Sequence, residues 1–230
     1  MTAVDLLPET IKRYIFALNA NGAEGEEVKL PPLDELAREL GVSRGKLRED
    51  LLAAQAYGLV EMRPGDGTYV RPFDFYAAVR PLVLHSVSLR SENFDRFYRM
   101  RAQMEIAFWD EAVGALTDAD VQRLEQIIEE AEQKLHGKFV VIPHREHREF
   151  HLLIFGRLDN PYVRGLLEAY WDAYEAVGLH RYFDLTYYEK VWFSHRQLVE
   201  AIRSKDVDKS RAILRQHFTF LEDRMAGKVA

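Results

Sequence analysis

His147 and His151 stand four residues apart in a helical stretch, so one helix face presents both imidazoles. His195 (in Ser194-His195-Arg196-Gln197) and His217 (in Arg215-Gln216-His217-Phe218) fall on two later helical segments. Three helices of a bundle can aim four such rings at one interior point. Neutral imidazoles at that density suit Zn²⁺, Ni²⁺ or another borderline divalent ion. Spacing alone leaves the bland alternative open, because scattered histidines are often solvated or satisfied within a core. A second group is Ser43-Arg44-Gly45-Lys46-Leu47-Arg48, which sets three cations within about one and a half helical turns. Arg44 and Arg48 share a face, and an Arg fork reaches guanine O6 and N7 together. Lys46 and Ser43 suit phosphate. Taken singly, such a helix also reads as an ordinary solvated face.

The elements that must position these residues follow from periodicity. Apolar residues at Ile11, Tyr14, Ile15 and Leu18 predict a helix within 5–19, followed by a loop over 20–29. A short helix over 33–40 ends near Gly41. Gly41-Val42-Ser43 is a tight turn with Ser43 as N-cap, and the next helix runs over 44–57 to Gly58. Short strands at 59–62 and 68–71 flank Arg63-Pro64-Gly65-Asp66-Gly67, a turn whose glycines let backbone approach a partner closely. Helix, tight turn, basic helix and Gly-tipped hairpin in this order predict a winged helix-turn-helix. Its second helix is expected to enter the DNA major groove, with Gly65, Asp66 and Gly67 at the wing tip. Residues 71–75 read as a linker. Beyond them the pattern is almost wholly helical, with helices expected over 75–88, 92–115, 118–136, 143–157, 161–182, 185–203 and 207–225. Short loops predict an antiparallel bundle. The fold class is therefore mainly α, divided into a DNA-binding domain over 1–73 and an all-helical domain over 74–230.

Composition narrows the function. The 230-residue chain is 47% hydrophobic, which provides for packed cores. It has no cysteine, which excludes disulfides and thiolate metal sites and fits a reducing cytoplasm. No apolar run approaches the roughly 18 residues of a membrane span, and the N-terminus carries no expected signal peptide. The net charge is −6, and residues 1–75 hold 9 Lys/Arg against 13 Asp/Glu. DNA binding must then rest on a local patch at Arg44, Lys46, Arg48, Arg63 and Arg71. Arg101 lies on an apolar helix near Met104, Phe108 and Trp109. An ion pair with Glu105 is one reading of it. Tyr170, Trp171, Tyr174, Trp192 and Phe193 are either cavity lining or plain core, and His85, His136, His144 and His180 are left as surface or packing residues.

At LPPLDELARELGVSRGKLRE and GLVEMRPGDGTYV the chain resembles the GntR family of bacterial transcription regulators, over roughly residues 5–73. The resemblance implies that Arg44 and Arg48 contact an operator. The family's LPSERELA-like segment carries a DNA-contacting Arg where this chain has Asp34, so Asp34 is expected to point away from phosphate or to alter operator preference. Residues 75–226 resemble the FCD domain of the FadR-type subfamily, at Tyr98 to Glu105, Glu149-Phe150-His151, Asn160-Pro161, His195 and His217. That resemblance implies a metal held by His147, His151, His195 and His217, with His147 where the family usually has Asp. It also implies that Arg101 pairs with an effector carboxylate. The expected protein is a homodimeric regulator that binds double-stranded operator DNA, a divalent metal and a small carboxylate, and is not an enzyme. Two alternatives stand beside it: a regulator for which the ion itself is the signal, and a metalloenzyme with Glu146 or Glu149 as base.

Overall fold

A computed structural model of the chain describes residues 27–178 and 184–225. The helix expected within 5–19, and His180, lie outside the described residues. The chain divides into two compact units, Met1–Ala78 and Val79–Ala230.

In the first unit, β1 (Val28–Lys29) precedes α1 (Leu33–Glu39), α2 (Arg44–Ala56), β2 (Val60–Arg63) and β3 (Gly67–Val70). The strands form an antiparallel sheet in the order β1-β3-β2, with Val28 and Val60 both opposite Val70. Strand β1 falls where the sequence predicts a loop: two residues are too few to show alternation, and only pairing with β3 makes them a strand. Ser43 caps α2, its Oγ accepting from the Lys46 amide at 3.2 Å. The other end closes as a Schellman motif, in which Leu59 N–H donates to Ala54 O and Gly58 N–H to Gln55 O. Gly58 has φ +72 there, the left-handed conformation that favours glycine. Leu36, Leu47, Leu51, Ala54, Val60 and Val70 bury against one another and fix α2 over the sheet. Burying Leu47 and Leu51 turns Arg44, Lys46 and Arg48 outward.

The helical region comprises α3 (Phe75–Leu89), α4 (Glu92–Ala107), α5 (Trp109–Gly114), α6 (Asp118–His136), α7 (His144–Ile154), α8 (Pro161–Ala176), α9 (Leu185–Arg203) and α10 (Val207–Met225). The single helix expected over 92–115 is broken at Phe108, whose φ −96 and ψ 5 leave the helical region. Fully buried Trp109 follows immediately, its indole Nε1 donating to Ser210 Oγ at 2.8 Å. Apolar spacing runs through this break, so the sequence could not mark it. Other termini carry local signals: Thr117 and Asp120 form a capping box, and Asn160 caps α8 ahead of Pro161. Helix α9 packs on α6 and α10, α4 on α8 and α10, and α7 on α6 and α8. Glu132–Arg196 and Glu125–Arg203 pairs show that α6 and α9 run antiparallel. No helix among the described residues is long and apolar enough to cross a membrane.

Candidate nucleic-acid interface and metal centre

The exposed face of α2 carries the predicted DNA-reading cations, but they are not equivalent. Lys46 Nζ pairs with Asp50 one turn on, at 2.6 Å. Arg44 Nη1 lies 3.2 Å from Asp34 Oδ1, with both side chains 69% exposed. Asp34 therefore neither points away nor stands alone: it neutralises one of the two predicted base-reading arginines. Arg48 has no acidic partner among the described residues and lines a crevice with Arg63, Pro64 and Gly65 to Gly67 of the wing. The patch is narrower than expected, because Arg63 and Arg71 are both tied to Glu27 and Glu61. These acids hold Arg63 and Arg71 along the sheet, and Arg63 further stacks 4.2 Å from the Tyr69 ring centre.

The wing tip has the backbone its sequence demands. Gly65 and Gly67 have φ +77 and +143, both costly for any residue with a Cβ. Asp66 is pinned by Lys29 Nζ at 2.9 Å and by Tyr69 O–H at 2.9 Å, and these bonds lower its pKa. Asp34→Asn is expected to free Arg44 and remove one anion from the interface. Affinity for mixed-sequence duplex DNA, measured by fluorescence anisotropy, should rise a few-fold, with a steeper dependence on salt. Unchanged affinity and slope would separate Asp34 from the interface.

The helical unit brings together all four predicted histidines. His147 and His151 come from α7, His195 from α9 and His217 from α10. One candidate ligand atom from each lies within 4.8 Å of every other. Ring centres are 5.2 Å apart for His147 and His151, 5.0 Å for His147 and His195, and 4.5 Å for His195 and His217. All four are buried, at 0–6% exposure. Burial is the first cause holding each imidazole well below its ordinary pKa, with neighbouring rings or the Arg101 charge adding to it. The rings are therefore neutral at pH 7, the state a metal ligand requires. Both ring nitrogens of His147 and His195, Nε2 of His151 and Nδ1 of His217 have no hydrogen-bond partner. Unpartnered buried nitrogens cost free energy, and a divalent ion would satisfy one on each ring. The donor set thus fits a borderline ion.

The surroundings are aromatic. Trp171 packs edge-on against His147 at 4.8 Å, Trp192 against His195 at 4.8 Å, and Phe150 stacks on His195 at 4.2 Å. Tyr170, Trp171, Tyr174 and Trp192 are buried, whereas Phe193 is 63% exposed. His144 stays outside the cluster and stacks on Tyr174 at 5.4 Å. His85 and His136 are exposed.

Arg101 is 3% exposed, and its Nε donates to Glu105 Oε1 one helical turn away. Its guanidinium lies 4.3 Å from the Tyr170 ring centre and 5.2 Å from that of Trp171. Burial opposes its charge, but Glu105 and its other neighbours outweigh that and raise its pKa. Burial pushes the Glu105 carboxyl up, with the Arg101 charge opposing. The second oxygen of Glu105 meets His151 Nδ1 at 3.0 Å. Sequence reasoning identified Glu105 only as a partner for Arg101. The i,i+4 relation signals that bond, but nothing local signals the second, which crosses from α4 to α7. Glu146 and Glu149, offered as catalytic bases, pair instead with Lys134 at 2.7 Å and Arg123 at 2.6 Å.

Comparison with known proteins agrees with this organisation. Residues 10–70 match the profile of bacterial regulatory proteins of the gntR family, and residues 96–220 match the FCD domain. The regulator LutR of Bacillus subtilis (strain 168) is 24% identical over 205 residues, covering 86% of this chain and 92% of the relative. The Uxu operon transcriptional regulator of Escherichia coli (strain K12) is 25% identical over 212 residues, covering 86% of this chain and 78% of the relative. Among solved structures, Streptococcus agalactiae GntR shares the fold with a TM-score of 0.69 at 21% identity, covering 91% of this chain and 95% of that one. These relatives are transcription regulators rather than enzymes. A winged helix-turn-helix followed by an FCD domain makes this chain a member of the GntR family of DNA-binding transcription regulators.

Proposed function

We propose that this regulator works as a homodimer, binds one divalent ion per chain, and alters its operator binding in response to a small carboxylate. The observation that carries the reading is the convergence of four neutral, buried imidazoles with unpartnered nitrogens. His147, His151, His195 and His217 would hold the ion, with Zn²⁺ or Ni²⁺ best suited to an all-imidazole set. A bound ion supplies a positive charge able to polarise an anionic oxygen. No carboxylate ligand would cancel that charge, since the converging set is four imidazoles. An anionic effector is therefore favoured. Arg101 adds a second cation, and its Nη2 has no hydrogen-bond partner.

On the DNA side, Arg48 and Arg44 would meet base edges, Ser43 and Lys46 phosphate, and Gly65, Asp66 and Gly67 the backbone beside the groove. One copy offers few free cations, so tight binding requires two, with recognition helices spaced to half-sites about one helical turn apart. An effector that changes that spacing changes operator affinity, and linkage makes DNA change effector affinity by the same factor.

Metal analysis of the purified protein and titration of the metal-free protein test the first part. One equivalent per chain is expected. His147→Ala should retain the ion at least ~10-fold more weakly, since it removes one of four ligands. Unchanged stoichiometry and affinity in that variant would remove His147 from the set.

A further inference from the structure

We infer that Glu105 is a positioning residue that aims His151 at the ion and ties this ligand to Arg101. The inference rests on the reading of the four histidines as a metal site. Glu105 is fully buried on α4 and meets His151 of α7. Its two oxygens have separate tasks. Oε1 accepts from Arg101 Nε, and Oε2 lies 3.0 Å from His151 Nδ1.

A carboxylate can only accept. The 3.0 Å contact therefore places the imidazole proton on Nδ1 and leaves the Nε2 lone pair for the cluster, where Nε2 has no other partner. A carboxylate behind a ligand imidazole also makes the ring a better donor and holds its plane. Arg101 holds the other oxygen in a buried ion pair, which fixes the carboxylate with Oε2 turned to His151. The arrangement has a cost for Arg101. Its Nε edge is taken, so an incoming carboxylate meets only the Nη edge unless it displaces Glu105. Displacement would release His151. Anion capture by Arg101 and metal ligation by His151 thus share one carboxylate.

Removing Glu105 alone would strand the Arg101 charge in the core and endanger folding. The test therefore compares two full-length variants, both lacking that cation: Arg101→Met/Glu105→Met and Arg101→Met/Glu105→Gln. Replacing a buried ion pair by apolar side chains of similar length is often tolerated. The glutamine version keeps a neutral acceptor for His151 and the methionine version keeps none. Zn²⁺ affinity is read by competition with a chromophoric chelator, alongside the metal-free melting temperature. The glutamine variant should bind Zn²⁺ about 10- to 100-fold more tightly than the methionine variant, at equal melting temperatures. Equal affinities would overturn the inference while leaving the metal site intact. A wild-type protein that binds no Zn²⁺ would overturn both. If either variant fails to fold, nitrogen NMR of ¹⁵N-histidine-labelled wild type, free of metal, decides the matter. A proton on Nδ1 of His151 supports the positioning role, and a proton on Nε2 refutes it.

Discussion

Arg48→Ala is expected to weaken operator binding by about 2–6 kcal/mol, or some 30-fold at the least. The figure combines about 1–3 kcal/mol for one bidentate Arg–guanine contact with the two copies of the proposed dimer. Arg48 is singled out over its neighbours because of pairing. Lys46 is held by Asp50, Arg44 by Asp34, and Arg63 and Arg71 by Glu27 and Glu61. Arg48 alone of these five is uncommitted among the described residues, and it lies beside the wing. Its loss should relax discrimination at one base position of each half-site. Lys46→Ala should instead weaken all sequences alike and lower the salt slope by about one per copy. Anisotropy titrations with operator and scrambled duplexes, each at several salt concentrations, separate the two patterns. A uniform loss in the Arg48→Ala variant would assign that residue to phosphate rather than to a base.

The metal-free protein should lose about 5 kcal/mol of stability per chain between pH 7.5 and pH 5.5. All four cluster histidines are held neutral by burial, with pKa values well below the ordinary range. In the unfolded chain each titrates near 6.5. Below that value the unfolded state binds protons that the folded state refuses, so stability falls as pH falls. Each histidine contributes up to about 1.4 kcal/mol per pH unit until its own folded pKa is reached. Four together approach the whole stability of a typical domain. Urea unfolding in the presence of a chelator, at pH 7.5, 6.5 and 5.5, measures the slope. Bound metal should add stability at each pH, because the folded rings carry no proton that it must displace. A chelated protein equally stable at pH 7.5 and 5.5 would mean that the rings do not stay neutral and buried.

Much of this molecule is readable from residue order, because its signals are local. Ser43, Gly58, Thr117 and Asn160 act within one turn of their own backbone, and the helices they bound begin or end within a residue or two of expectation. Gly65 and Gly67 announce a hairpin because few other residues tolerate positive φ. Spacing of four places His147 and His151 on one face wherever their helix goes. Strand β1 and the break at Phe108 were not legible. The first exists only through pairing with β3, and the second through the seat Trp109 finds against Ser210.

What packing settled is which charges and rings meet. Among the seven histidines of the described residues, helix rotation in the bundle brings four together and leaves His144 stacked on Tyr174 and His85 and His136 in solvent. No periodicity within a single helix encodes that choice. The same holds for Glu105, whose second bond joins residues 46 positions apart. It holds too for Asp34, which turns the departure from the family's Arg into a neutralised Arg44. Types and spacings along the chain are short-range quantities, and they suffice to name the chemistry. Whether a nitrogen is deprotonated, or a cation free, depends on burial and on partners brought from distant segments, so those properties exist only in the folded chain.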